Sequence, residues 1–226
     1  LATSSAASDV YKRQEGEEVL VFGAPATDGP DGKAIQEVFD DFTEETGIIA
    51  TYVGSENFES EVQVQLESGD VPDLIYWPQP GGVVDAAERG LLVPLEDLGI
   101  DLDEYESRYS PYLVSLGVVD GVAYGGANAV NLKSIVWYQP AEFEKRGYEI
   151  PETWDEMIAL ADQIVAEGMN PFCFGMYSNG ATGWLATDWM EDVMLRTGGG
   201  TTTYDQWVNH EIPVSYTHLR AHETQR

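Results

Sequence analysis

The sequence predicts an α/β protein built on parallel strands, and three observations predict it. Short apolar runs recur at residues 19–22, 48–53 and 74–77, each the length of a strand, and the first is continuous and suits a strand buried on both faces. Between them lie segments with helical spacing of apolar residues, Ile35, Val38, Phe39 and Phe42 before the second run, and Phe58, Val62 and Leu66 before the third. Strand, helix, strand is a crossover unit, and its handedness makes the joined strands parallel.

The first strand ends in residues 23–30, a loop rich in turn formers that carries Asp28. Gly47 stops the first helix and Gly69 the second. Beyond the third strand comes Trp77-Pro78-Gln79-Pro80-Gly81-Gly82. Ligands of open α/β sheets bind outside the carboxyl ends of the strands, so these two loops are expected to share a rim. Residues 83–89 read as a short helix, 91–95 pack as an apolar segment, and 101–117 are helical or irregular. Asp120-Gly121 is a turn pair, and Gly125 and Gly126 offer backbone freedom. Residues 130–138 are expected as a strand crossing between two compact units, a hinge. The first unit is expected to occupy 15–129 and the second 130–213.

In the second unit a helix of mixed charge is followed by Thr153, a plausible N-cap for a helix with Trp154, Ile158, Ala161 and Val165 on one face. Residues 172–176 read as a short buried strand with Cys173 as a small buried hydrophobe. A small-residue loop at 178–183 and a helix over about 184–196 complete the series. Trp137 and Trp154 are expected in the core.

The two ends differ in kind from the rest. Asp9 to Gln14 can be encoded as GATGTGTATAAGAGACAG, and the reverse complement of that DNA, read from its third base, encodes Val214-Ser215-Tyr216-Thr217-His218. Two termini of a natural protein have no reason to be an inverted repeat in DNA. Residues 1–14 and 214–226 therefore resemble translated sequencing adapters and are set aside, as a tag would be. On this reading the native segment is truncated at both ends, so any export signal is missing from it.

The whole chain has 226 residues, 43% of them hydrophobic, with 11 basic and 40 acidic side chains. Its mean hydropathy is −0.25, and no run approaches the length of a membrane helix. Without the flanks, 7 basic residues face 38 acidic ones, a net of −31. Such acidity repels nucleic acid and anionic membrane surfaces. One cysteine and, between the flanks, one histidine, His210, exclude a disulfide framework, a zinc site and a Ser-His-Asp triad; no metal or cofactor is expected. No phosphate-binding glycine pattern follows the first strand. A carboxylate pair for glycoside hydrolysis stays open, with Asp188 and Glu191 beside Trp189 as the nearest candidates.

Aromatic residues on loops carry more information. Sugar rings stack their C–H faces on indoles while amides and carboxylates satisfy the hydroxyls. Trp77 with Gln79, and Trp184 beside Asn179 and Thr182, fit that chemistry; the alternative for both indoles is core packing.

Four motifs in order, Gly69-Asp70-Val71-Pro72-Asp73-Leu74, Leu92-Val93-Pro94-Leu95, Val136-Trp137-Tyr138 with Phe143-Glu144-Lys145-Arg146-Gly147, and Pro151-Glu152-Thr153-Trp154-Asp155-Glu156, resemble the extracellular solute-binding proteins of sugar ABC importers, the group that includes the maltose-binding protein. Ala181-Thr182-Gly183-Trp184, Thr187-Asp188-Trp189 and Tyr204-Asp205-Gln206-Trp207 look like its α-glucoside branch. The resemblance implies a two-lobe, type II periplasmic-binding fold of which only the N-terminal part is present. It also implies a non-enzymatic, periplasmic or extracellular monomer, lipid-anchored in some members, that closes on an oligosaccharide and presents it to a membrane permease. The expected ligand contacts are Trp77 and Trp184 by stacking and Asp28, Gln79 and Asn131 by hydrogen bonds. The other readings are a secreted glycoside hydrolase and a gene fragment without activity of its own.

Overall fold

A computed structural model describes residues 16–197 and 199–212; the flanks read as adapter-derived, 1–14 and 214–226, lie outside the described residues. The chain forms two compact units. One runs to Val130 and includes Asn179–Ala181; the other comprises Asn131–Ser178 and the chain from Thr182 onward.

The first unit is built on a parallel sheet. Strand β1 (Glu18–Gly23) lies between β2 (Ile49–Gly54) and β3 (Leu74–Tyr76), in register so that Val21 faces Tyr52 and Leu74 while Phe22 faces Val53 and Ile75. Helix α1 (Pro30–Thr46) joins β1 to β2, and α2 (Phe58–Ser68) leads from β2 toward β3, the two crossovers expected from the apolar periodicity. Gly47 closes α1 at φ 73, returning its N–H to the Thr43 carbonyl. From α1, Gln36 reaches the outer edge of β2: its Nε2 donates to the Ala50 carbonyl at 3.0 Å and its Oε1 accepts from the Tyr52 N–H at 2.7 Å. A helix side chain thus takes the place of a missing neighbour strand. On the other side of β1 the Asp73 carboxylate accepts from the Leu20 N–H at 2.9 Å, filling the ladder just before β3 begins.

Helix α3 (Pro80–Glu88) follows β3. The core gathers Phe22, Phe58, Val62, Leu66 and Ala86, with Ile75, Trp77 and Leu92 packed against it. Phe58 and Phe22 meet at 5.2 Å between ring centroids. Beyond a short 3-10 turn (Leu95–Leu98) come α4 (Leu102–Arg108), capped by the Asp101 carboxylate, and α5 (Pro111–Ser115). The hairpin of β4 (Val118–Val119) and β5 (Val122–Ala123) turns at Asp120 and Gly121, φ 51 and 81, the double left-handed geometry that a two-residue hairpin needs. Gly125 and Gly126, expected to be free, are held: Gly125 packs against Val83 and Gly117, and Gly126 lies beside the Tyr105 ring.

The second unit contains α6 (Pro140–Arg146), α7 (Trp154–Ala166), α8 (Trp184–Thr197) and α9 (Thr201–Val208). Thr153 caps α7 as expected, and the cap is reciprocal. Its hydroxyl accepts from the Glu156 N–H, and the Glu156 carboxylate accepts from the N–H groups of Glu152 at 2.8 Å and Thr153 at 3.0 Å. The end of α7 is tied back to α6 by Tyr148, which donates to Glu167, and by Arg146 between Glu142 and Glu167.

Three expectations for this unit are corrected. Residues 130–138 form no strand: they run without a ladder, and Leu132 and Trp137 are 83% and 87% exposed. Residues 172–176 form no strand either, and Cys173 is exposed rather than buried. Trp137 and Trp154 lie on the surface and not in the core. The two missing strands, and the exposure of Trp137 within the first, share one physical reason, while Trp154 is exposed on the face of a helix. A β-rich run becomes a strand only where a neighbour accepts from its N–H groups and donates to its C=O groups, and among the described residues none pairs with these segments.

Candidate functional site

Because β1, β2 and β3 run parallel, their carboxyl ends lie along one edge of the sheet. The loops that leave it are clasped together. The Gly54 N–H donates to the Thr27 hydroxyl at 2.7 Å, and that hydroxyl donates back to the Gly54 carbonyl at 3.2 Å. Ser55 N–H donates to the Gly23 carbonyl at 3.0 Å. Beneath them the buried Tyr52 hydroxyl donates to the Pro25 carbonyl at 2.8 Å. Burial, with a smaller contribution from neighbouring Tyr76, pushes this phenol up to about 12, so it stays a protonated donor at neutral pH. Gly54 approaches so closely that a Cβ there would strike the Pro25 carbonyl. The β1–α1 loop is therefore held from below and from the side, and Asp28 stands exposed one residue beyond Thr27.

Trp77 leaves β3 half-buried. Its indole meets Phe58 edge-on at 6.0 Å and 87°, and Gly82 of α3 lies against it with no room for a Cβ. The ring joins the wall of the core while keeping a partly exposed surface. Gln79 is exposed in the N-cap position of α3, and its side chain makes no cap hydrogen bond.

The second unit carries the other two expected residues. Asn131 is exposed, and Trp184 at the start of α8 is 38% exposed. Two residues after Asn131, the Lys133 ammonium lies over the Trp184 ring, 4.4 Å from its centroid, and 3.3 Å from Asp188 Oδ2. The Ser134 hydroxyl donates to the Asp188 carbonyl at 3.0 Å. Glu191, the other carboxylate considered for hydrolysis, accepts from the Tyr204 hydroxyl at 3.1 Å. Both acids thus have partners. Among the described residues no group of His, Cys, Asp and Glu side chains is placed to hold a metal ion, and no helix is long and apolar enough to cross a membrane.

Sequence reasoning grouped Asp28, Trp77 and Gln79 on one rim, and the parallel sheet puts all three after the carboxyl ends of its strands. It missed Thr27, Tyr52 and Lys133. The alternation of Ala50 and Tyr52 along β2 marks Tyr52 as inward-facing, and Lys133 is a rare cation inside an apolar run, so a signal existed for both. Nothing local marks the Thr27 clasp.

The model of the bacterial extracellular solute-binding protein family matches residues 26–219. The chain belongs to that family. Its last six matched residues fall in the flank read as adapter-derived. Among family relatives, the osmoprotective compounds-binding protein GgtB of Synechocystis is 40% identical over 211 residues, covering 93% of this chain and 49% of its own. The alpha-glucosides-binding periplasmic protein AglE of Rhizobium meliloti is 40% identical over 206 residues, 88% of this chain and 44% of its own. The chain thus spans about half the length of these relatives. The solved structure of RafE in complex with raffinose matches with a TM-score of 0.61 at 22% identity, over 84% of this chain and 46% of that one. The α/β class read from the sequence is therefore that of the periplasmic solute-binding fold, represented over part of its length.

Proposed function

We propose that this chain is part of the substrate-binding component of an ABC importer and takes an α-glucoside or a related oligosaccharide. The observation that carries the reading is the family match across residues 26–219, and 40% identity to a protein named for α-glucoside binding supports the ligand class. The first unit offers the Trp77 indole with Asp28 and Gln79; the second offers Trp184 with Asn131. The indoles stack on the apolar faces of sugar rings, and the carboxylate and amides take up hydroxyl groups. The acidic surface suits a neutral ligand rather than an anionic one. Residues 15–129 and 130–213 then belong to two lobes, with the passage through 130–138 as hinge. The protein acts outside the cytoplasmic membrane as a monomer, hands its ligand to permease subunits, and carries out no chemistry on it. Transport follows from population shift, since the ligand favours whichever state adds contacts.

Isothermal titration of the full-length protein carrying this segment, with maltose, trehalose and sucrose, tests the reading. Saturable heat with at least one is expected, together with loss of most of it in Trp77→Ala. Silence across the panel sinks the proposal, and turnover of an aryl glucoside by the same protein replaces it with hydrolysis.

A further inference from the structure

Lys133 is one of seven basic residues between the two flanks, in a chain with 38 acidic ones there, and its half-exposed side chain is engaged by two partners. Its ammonium lies 4.4 Å from the Trp184 centroid and 3.3 Å from Asp188 Oδ2. Trp184 and Asp188 are four residues apart on α8, so they share one helical face, and a single cation bridges both. The next residue, Ser134, is held at φ 58, a left-handed conformation that a residue with a side chain seldom adopts. Its hydroxyl bonds the Asp188 carbonyl. Ammonium, hydroxyl and an unusual backbone conformation at positions 133 and 134 therefore all converge on the first turns of α8.

We propose that Lys133 is a positioning residue that fixes the orientation of the Trp184 indole for stacking on a sugar, with Asp188 keeping the ammonium over the ring. The inference rests on the sugar-binding reading above. An indole left 38% exposed keeps some freedom of orientation, and binding must fix one orientation of it. A cation held against one face by the ring quadrupole restricts that choice beforehand, so less order remains to be imposed by the ligand. The Asp188 carboxylate balances the ammonium, and the pair carries no net charge that would demand an ionic ligand. The role needs a cation but not lysine in particular, and it needs the ring.

The test is a double-mutant cycle on sugar affinity in the full-length protein. Lys133→Met keeps the unbranched stem, one atom shorter, and removes the charge; it is expected to weaken binding about 3- to 10-fold. Lys133→Arg restores affinity to within about twofold, since guanidinium also stacks on indole. In a Trp184→Ala background Lys133→Met has no further effect, because there is no ring left to hold. Asp188→Asn gives a smaller loss in the same direction, and serves where Lys133→Met alters thermal unfolding. Unchanged affinity in Lys133→Met overturns the inference and leaves the sugar-binding reading intact. So does an equal loss with and without Trp184, which marks a purely structural role. If the unsubstituted protein binds no sugar, the broader reading falls and this inference with it.

Discussion

Residues 19–22 in the first unit and 130–138 at the passage into the second are both rich in aliphatic and aromatic side chains, yet Val21 and Phe22 are 3% and 5% exposed while Leu132 and Trp137 exceed 80%. Propensity does not separate them. The first run has a strand on each side of it and a helix across each crossover; the second has no ladder among the described residues. A strand is a property of a pair, and its side chains become core only after the backbone has a neighbour. The helices behave otherwise. α7 closes its own hydrogen bonds and its own capping box, and forms although Trp154, Ile158 and Val165 on its apolar face remain exposed.

The two regions should differ most under truncation of a ring. Phe58→Ala removes a side chain 1% exposed at the centre of the first core and is expected to cost about 3–5 kcal/mol in urea unfolding. Trp137→Ala, at 87% exposure, is expected to change stability by less than about 0.5 kcal/mol. Equal effects would mean that the two regions do not differ. Amide hydrogen exchange makes the same comparison without mutation: β1 amides are expected among the slowest, and those of 130–138 near the rate of an unstructured peptide. Protection across 130–138 would reveal a ladder.

Tyr52→Phe leaves the Pro25 carbonyl without its donor and is expected to cost about 1–2 kcal/mol. The pH dependence has a definite sign. The folded phenol titrates at about 12 against an ordinary 10.0, so its contribution is full below pH 10 and is lost as pH rises toward 12. The phenylalanine variant should lack that part of the alkaline slope. The smallest measurable loss is at the cap, above only the near-silent Trp137→Ala: Thr153→Ala is expected to cost about 1 kcal/mol, read by thermal unfolding. Hydrogen bonds from the Glu152 and Thr153 N–H groups hold the Glu156 carboxyl below its ordinary 4.5. That contribution is present above pH 4.5 and is lost as pH falls through the lowered value. Glu156→Gln should flatten the acid limb; an unchanged limb would remove Glu156 from the account.

What was legible in the sequence follows the same division. The three parallel strands, their crossover helices and the Asp120-Gly121 turn carry local signals that agree with their surroundings, and each is present. The Thr153 cap was legible because a capping box is written within four residues. Strand pairing at 130–138 and 172–176 was over-read, since apolar periodicity reports what a segment can do and not whether a neighbour exists. Trp77 was ambiguous for a sound reason: wedged between Phe58 and Gly82 with part of its surface exposed, it is neither wholly core nor wholly surface. The Lys133 contact joins residues more than 50 positions apart, beyond the reach of any local pattern.

The Asp73 carboxylate has one more effect. β3 is three residues long and pairs, among the described residues, with β1 alone, so its far side is an open sheet edge of the kind on which chains aggregate. Asp73 occupies the next position of the ladder on the inner side, while Pro72 before it and Pro78 after Trp77 lack the N–H that an incoming strand would need. The templating surface is thereby confined to Leu74, Ile75 and Tyr76. An edge this short offers little to template a fibril, and Asp73→Val, by lengthening it in β-forming sequence, is the change expected to make it sticky.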